Sequence, residues 1–326
     1  MTIEKILSSV PFAFVLLIVG FVLLIKGADF FVEGSSGVAK KLRVPSIVIG
    51  LTVVAMGTSL PELAVSASAG LQGNNSLAIS NVVGSNMFNL LVVVGFCAIM
   101  SPIVVDKVLI RRDIPISLGA AILLLGLGVV GMCVGRIDSL ILIVLFIAFI
   151  GLLLVSALKA RNENEEESET EEKNRSVLVL LFFIIGGATA IVLGGTAVVE
   201  SANTLATALG MDGTLFGLTI AAVGTSLPEF VTSVVAAKKG EVELSLGNAI
   251  GSSIFNILLI LGVAGALSPI AVITENIIDI SILIGCSVLV WLVSMKKKKL
   301  TRFDGIWMVL LYAGFMAYIV IRNYAM

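Results

Sequence analysis

Apolar residues along this chain gather into long uninterrupted runs, each closed by a short polar or basic segment. The runs are about 17–25 residues long, the length of helix that crosses a hydrocarbon core of roughly 30 Å. They predict ten spans, at 10–35, 45–70, 76–100, 114–134 and 138–158, then 177–201, 213–237, 243–267, 275–294 and 304–321. Transmembrane β-strands would read instead as segments of about ten residues in strict alternation. The predicted fold class is therefore an all-α integral membrane protein.

One stretch, residues 159–176, breaks the series. Its sequence is acidic and without periodicity, and it reads as a solvated linker between two halves. It lacks the EF-hand pattern. The halves repeat each other. Thr58 and Thr225 stand 167 residues apart, and the same offset pairs Gly27 with Gly194, Glu33 with Glu200, and Asn81 with Asn248. It also pairs Gly84-Ser85 with Gly251-Ser252, Phe88-Asn89 with Phe255-Asn256, and Ser101-Pro102 with Ser268-Pro269. With one gap, Arg136-Ile-Asp138 falls on Arg302-Phe-Asp304. The chain divides into a first five-helix repeat (1–158), the acidic linker (159–176) and a second five-helix repeat (177–326). Five is odd, so the second repeat is expected to be inverted relative to the first. Inverted repeats mark many secondary transporters, whose ion site lies at the membrane midplane.

Basic residues set the expected orientation, because Lys and Arg concentrate on cytoplasmic loops. An extracellular N-terminus places Lys40, Lys41 and Arg43, the segment 107–112, the linker, Lys238-Lys239, and 296–299 with Arg302 inside. The loops between spans 2 and 3, 6 and 7, and 8 and 9 then carry no Lys or Arg. The expectation is a multi-pass plasma-membrane protein with both termini extracellular and the linker cytoplasmic.

Composition narrows the chemistry. Of 326 residues, 58% are hydrophobic and 13% charged, against about 25% charged in soluble domains. The absence of histidine excludes His-ligated metals, His catalysis and His proton relays. Cys97, Cys133 and Cys286 lie in or beside apolar runs without metal-ligand spacing, and read as small buried hydrophobes. A net charge of −1 and the lack of a basic, aromatic-interleaved segment give no reason to expect nucleic acid. No cofactor or protein partner is implied. No Gly-x-Ser-x-Gly motif or acidic phosphotransfer cluster suggests an enzyme. Residues 11–25 have signal-peptide character, but the run continues into 27–34, which has a counterpart in the second half, so it is read as a retained helix.

The strongest chemical signal is a hexapeptide, Gly-Thr-Ser-Leu-Pro-Glu, present at 57–62 and again at 224–229 inside apolar spans. An ionisable residue at membrane depth costs about 2.5 kcal/mol or more, which makes Glu62 and Glu229 functional candidates. Pro61 and Pro228 cannot donate to the carbonyl four residues earlier, so the Gly57 and Gly224 carbonyls become available oxygens. Thr58-Ser59 and Thr225-Ser226 add hydroxyls within one turn. An all-oxygen donor set with carboxylates suits hard cations, and Ca²⁺ takes about 6–8 oxygens. Two glutamates match the charge of one Ca²⁺ or two Na⁺, and competition for the same carboxylates is a physical basis for exchange. A second repeated element completes the set. Asn81, Ser85 and Asn89 recur every four residues on one helix face, as do Asn248, Ser252 and Asn256.

Each feature has a plainer reading. Proline in a span can be only a kink, Ser and Thr can bond back to their own helix, and glycine can simply permit close packing. Lys26 and Asp29 read as a local pair or as side chains snorkelling to the interface. Glu33 and Glu200 leave capping and vestibule roles open.

At these residues the chain resembles the cation/Ca²⁺ antiporter superfamily, and within it the prokaryotic Na⁺/Ca²⁺ exchangers. Residues 45–102 and 212–269 look like that family's two alpha-repeats. The resemblance implies ten helices in two inverted five-helix repeats around a central site, with Ca²⁺ held by Glu62, Glu229, Thr58 and Thr225. It implies Na⁺ sites that share these residues and add Ser59, Ser85, Ser226 and Ser252 with the carbonyls of Ala55 and Ala222. Asn81, Asn89, Asn248 and Asn256 would line the centre. It further implies electrogenic antiport, about three Na⁺ for one Ca²⁺, with spans 1 and 6 sliding across the rest. Their glycines (Gly20, Gly27, Gly34, Gly186, Gly187, Gly194 and Gly195) are compatible with such sliding. Many relatives carry Asp where this chain has Asn256, an acid associated with K⁺ transport, so K⁺-independent exchange is expected here. H⁺/Ca²⁺ exchangers share the fold but typically lack the Thr-Ser pair beside both acids, and stand as the alternative. A cation channel is a distant one, since channels usually build acid rings from several subunits.

Overall fold

The computed structural model describes residues 10–71, 75–163, 176–208 and 222–325. The first half holds α1 (Val10–Leu42), then α2, which runs Ser46–Ile49, a π-helical turn Gly50–Val54 and Ala55–Thr58. Next come α3 (Leu60–Leu71) and α4, which runs Asn75–Phe88, a π turn Asn89–Val93 and Val94–Met100. Strand β1 (Ile103–Val104), α5 (a π turn Leu109–Asp113 and Ile114–Val129), β2 (Cys133–Val134) and α6 (Arg136–Glu163) follow. The second half holds α7 (Val177–Ala208), α8 (Ala222–Gly224), α9 (Leu227–Lys238) and α10, made of Val242–Phe255, a π turn Asn256–Ile260 and Leu261–Leu267. It ends with β3 (Ile270–Ala271), α11 (Thr274–Lys297), β4 (Lys299–Leu300) and α12 (Arg302–Ala325).

Eight helices among the described residues are long and apolar enough to cross a membrane, and the bent pair α2–α3 makes a ninth. The helical form follows from the solvent: in hydrocarbon every backbone N–H and C=O must be satisfied within its own segment. The expected span 213–237 lies outside the described residues over 213–221. Burial sorts the helices into layers. In α4 and α10, 78% of the spanning window is buried, against 17% in α6 and 22% in α1, α7 and α12. So α4 and α10 form the centre. Exposed Phe14, Ile18, Val144, Ile147, Leu178 and Phe182 on the outer helices give an apolar belt, as lipid contact requires.

The equivalence of the halves extends to local detail. The π turns Asn89–Val93 and Asn256–Ile260 share the 167-residue offset. Ser101 and Ser268 leave the helix in the same extended conformation, φ −144° and −149°, because a residue preceding proline is pushed out of the α region. The strands that follow were not predicted. They pair across the halves, β1 antiparallel to β4 and β2 antiparallel to β3. Ile103 faces Leu300 while Val134 faces Ile270, so each pair repeats the register of the other. Helices α1 and α7 run antiparallel, with Gly20 against Gly194, Gly27 against Gly187 and Gly34 against Leu180.

That last contact changes the reading of the glycines. A Cβ on Gly27 would fall 2.9 Å from the Gly187 carbonyl oxygen, and one on Gly194 would fall 2.7 Å from that of Gly20. The glycines bring α1 and α7 backbone to backbone and join them to each other. Only Gly195 of the seven meets another element closely, with Pro228 Cγ 3.4 Å from its virtual Cβ.

Other expectations are corrected. Span 4 was expected at 114–134 but runs Leu109–Val129. Its charged start is tolerated because buried Asp113 pairs with Arg112 at 2.7 Å, whose guanidinium also donates to Ser156 Oγ. Arg111 and Arg112 therefore belong to a helix rather than a loop. The far end stops at the left-handed turn Gly131-Met132 (φ +78° and +51°), which feeds β2. Helix α1 reaches Leu42 and α7 reaches Ala208, so Glu33 and Glu200 sit inside helices rather than at their ends. Asp29 pairs with Lys239 at 2.7 Å, 210 positions away, instead of Lys26.

Candidate cation site with two buried carboxylates

The hexapeptides break their helices in the same way. Ser59 (φ −85°, ψ 10°) and Ser226 (φ −92°, ψ 6°) lie outside helical geometry, just ahead of the prolines. Between α2 and α3 the axis bends by 50°. Pro61 and Pro228 fit the second helical position, where a missing N–H costs no bond, so the chain restarts as α3 and α9 with Glu62 and Glu229 in the first turn. That turn carries the positive end of the helix dipole, which favours a carboxylate.

Both glutamates are fully buried. Each is held by the serine of the other hexapeptide: Ser59 Oγ donates to Glu229 Oε1 at 2.8 Å, and Ser226 Oγ donates to Glu62 Oε1 at 3.0 Å. Ser85 Oγ stands 3.5 Å from the same Glu62 oxygen and 2.9 Å from Ser226 Oγ. The second oxygen of each glutamate, Oε2, has no hydrogen-bond partner. Five carboxylates are buried among the described residues. Asp113, Asp279 and Asp304 pair with Arg112, Arg322 and Lys297. Glu62 and Glu229 pair with no basic side chain among the described residues. A buried carboxylate without a positive partner is several kcal/mol unfavourable, which makes these two candidates for binding a cation or a proton.

The remaining predicted residues fall into two groups. Buried oxygens without partners belong to Ser252, Asn89 and Asn256, and to half-buried Thr225. These suit hard-cation ligation, which uses neutral oxygens beside carboxylates. A second group is engaged in bracing. Asn248 Nδ2 donates to the Glu229 carbonyl and to Ser233 Oγ, while its Oδ1 accepts from Thr58. Half-buried Asn81 donates to Ser66 at 3.1 Å. Ser66 and Ser233 occupy equivalent positions one turn beyond the glutamates and were missed. The repeat offset would have found them. The Ala55 carbonyl accepts from the Ser59 N–H. Ala222 is described only as the first residue of α8. Asn86 was also missed. It is buried and donates to the Ser253 carbonyl, and Asn256 donates to it.

This geometry sits in a recognisable sequence context. Residues 12–155 and 179–321 match the sodium/calcium exchanger protein family. CaxA of Alkalimonas amylolytica, a candidate antiporter, is 35% identical over 94% of this chain and 97% of its own. The sodium/calcium exchanger MaX1 of Methanosarcina acetivorans is 34% identical over 93% and 97%. Among solved structures, the sodium-calcium exchanger NCX_Mj soaked with Na⁺ and Sr²⁺ superposes with a TM-score of 0.83. It is 33% identical, covering 95% of this chain and 99% of that one.

Proposed function

The chain belongs to the sodium/calcium exchanger protein family, a multi-pass membrane family, and from that premise we propose that it is a Na⁺/Ca²⁺ antiporter working by alternating access. The observation that carries the reading is the pair of fully buried glutamates with no basic partner, each with an unsatisfied oxygen. A single Ca²⁺ neutralises both. Sodium ions using the same carboxylates do so as well, which makes the two loads mutually exclusive. The empty, ionised site is the costly species, so the protein changes access loaded. Three Na⁺ against one Ca²⁺ would move one net charge per cycle.

In this proposal Ca²⁺ takes Glu62, Glu229, Thr58 and Thr225. Na⁺ takes the same acids and threonines with Ser59, Ser85, Ser226, Ser252 and the Ala55 and Ala222 carbonyls. The serine hydroxyls that now donate to the glutamates have free lone pairs, and rotating the O–H presents the oxygen to an ion. The neutral amides Asn89 and Asn256 leave two central carboxylates, which favours exchange without K⁺. Ten helices in two inverted repeats are supported by the antiparallel α1–α7 contact and by the reciprocal strand pairing. Extracellular termini, a cytoplasmic linker and a plasma-membrane location rest on the Lys and Arg distribution.

Calcium uptake into proteoliposomes preloaded with Na⁺, with K⁺ or with a proton gradient tests this. Uptake driven by Na⁺ and not by K⁺ supports the reading. Equal uptake with H⁺ alone would replace it with H⁺/Ca²⁺ antiport, and uptake without any counter-gradient would replace it with a channel.

A further inference from the structure

Near the contact between α4 and α10 the repeated segments 81–89 and 248–256 differ at one polar position: Asn86 stands where the second half has Ser253. These equivalent positions touch. Asn86 Nδ2 donates to the Ser253 backbone carbonyl at 3.1 Å, and Asn256 Nδ2 donates to Asn86 Oδ1 at 3.0 Å. All the groups involved are buried, with Asn86 1% and Asn256 0% exposed.

The direction of this chain is fixed at its start. A carbonyl only accepts, so Asn86 must present its NH₂ to Ser253. That leaves Asn86 Oδ1, which only accepts, facing Asn256. Asn256 must then present its own NH₂ and turn its Oδ1 the other way. That Oδ1 is buried and has no partner. It lies on the α10 face that also carries Ser252 and Asn248, and Asn248 is bonded to Glu229 and Thr58. The first half lacks this device. Ser253 Oγ donates back to Ala249 within its own helix, and neither Asn89 Oδ1 nor Asn89 Nδ2 has a partner.

We infer that Asn86 is a positioning residue that orients the Asn256 amide, directs its Oδ1 toward the transported cations and selects for an amide rather than a carboxylate at position 256. An aspartate there would set two acceptors face to face, Asp against Asn86 Oδ1. Asn86 can turn to relieve this only by losing its bond to the Ser253 carbonyl. The inference rests on the proposed antiport, because it assigns the freed oxygen to that substrate.

The test is a double-mutant cycle read by Na⁺-driven calcium uptake in proteoliposomes. Asn86→Ser installs the residue of the equivalent position, and is expected to raise the calcium KM about three- to tenfold and to affect KM more than maximal rate. In an Asn256→Ala background the same change should have no further effect on KM. Asn256→Asp should retain more activity with Asn86→Ser than with Asn86. Equal KM effects of Asn86→Ser with and without Asn256, or none in either, would overturn the inference, since a merely structural residue acts independently of Asn256. If Asn86→Ser does not fold, Asn86→Ala carries the same expectations. If the unmodified protein shows no Na⁺-driven uptake, the proposed function fails on its own. The cycle is then read by equilibrium calcium binding to purified protein, where the same coupling supports the inference and its absence overturns it.

Discussion

Ser59 of the first half donates to Glu229 of the second at 2.8 Å. Ser226 returns the bond to Glu62 at 3.0 Å. Neither half builds a complete acid site alone, so the site exists only where the repeats meet. Hydrogen bonds to a charged group contribute about 1.5–3 kcal/mol, and the same hydroxyls are the proposed Na⁺ oxygens. Ser59→Ala and Ser226→Ala should each raise the Na⁺ concentration for half-maximal calcium efflux by about tenfold. A Na⁺ titration of efflux from calcium-loaded proteoliposomes checks this, and an unchanged midpoint in both variants counts against the assignment.

Neutralising either acid should remove calcium binding without unfolding the protein, because glutamine keeps the shape and drops an unpaired buried charge. A ligand at about 100 times its Kd stabilises a protein by about 2.7 kcal/mol. The unmodified chain should therefore melt later when calcium is added. Glu62→Gln and Glu229→Gln should lose both that shift and calcium transport, as melting curves with and without calcium would register. A preserved shift in either would exclude that glutamate as a ligand.

Adding a third carboxylate at the centre should invite a further cation. Asn256→Asp is expected to introduce K⁺ sensitivity or stronger acid inhibition of exchange, because the added acid needs a monovalent ion or a proton for neutrality. Uptake measured across K⁺ concentration and pH decides it, with no change in either as the contrary result.

The α1–α7 contact makes a prediction about stability alone. Gly27→Ala forces a methyl against the Gly187 carbonyl oxygen and should cost about 1–3 kcal/mol as overpacking. Gly186, whose Cβ would meet nothing within 4 Å, should accept alanine with little change. Thermal melting of the two variants in detergent distinguishes them, and equal melting temperatures would refute the account of this interface.

Much of this arrangement was legible in the chain because its strongest signals are local. Apolar runs gave the eight spans and the bent pair found among the described residues, and an identical hexapeptide in each half gave the two acids that meet in the fold. Ser66 and Ser233 carry the repeat offset, but their bonds to Asn81 and Asn248 exist only in the fold, and the rest of what was missed lies where identity or locality fails. Asn86 and Ser253 are equivalent but different residues, so the repeat of identical residues does not mark them. The π turns that begin at Asn89 and Asn256 leave no periodic mark over a single turn. Span 4 was shifted because Arg112 and Asp113 neutralise each other inside the helix, which a count of charges reads as a loop. Asp29 was read as a local pair with Lys26 or as snorkelling to the interface because its partner Lys239 is adjacent only after folding. The glycines of α1 and α7 were visible, but their use, in joining those two helices, depends on which face meets which.

The central claim is that Na⁺ and Ca²⁺ compete for the same pair of buried glutamates. Equilibrium binding of radioactive calcium to purified protein, titrated with NaCl against choline chloride, tests it most directly. The account predicts a single calcium ion per chain, displaced by Na⁺ with a Hill coefficient above one and unaffected by choline. Calcium that stays bound as Na⁺ rises, or that binds equally well to Glu62→Gln and Glu229→Gln, would contradict it.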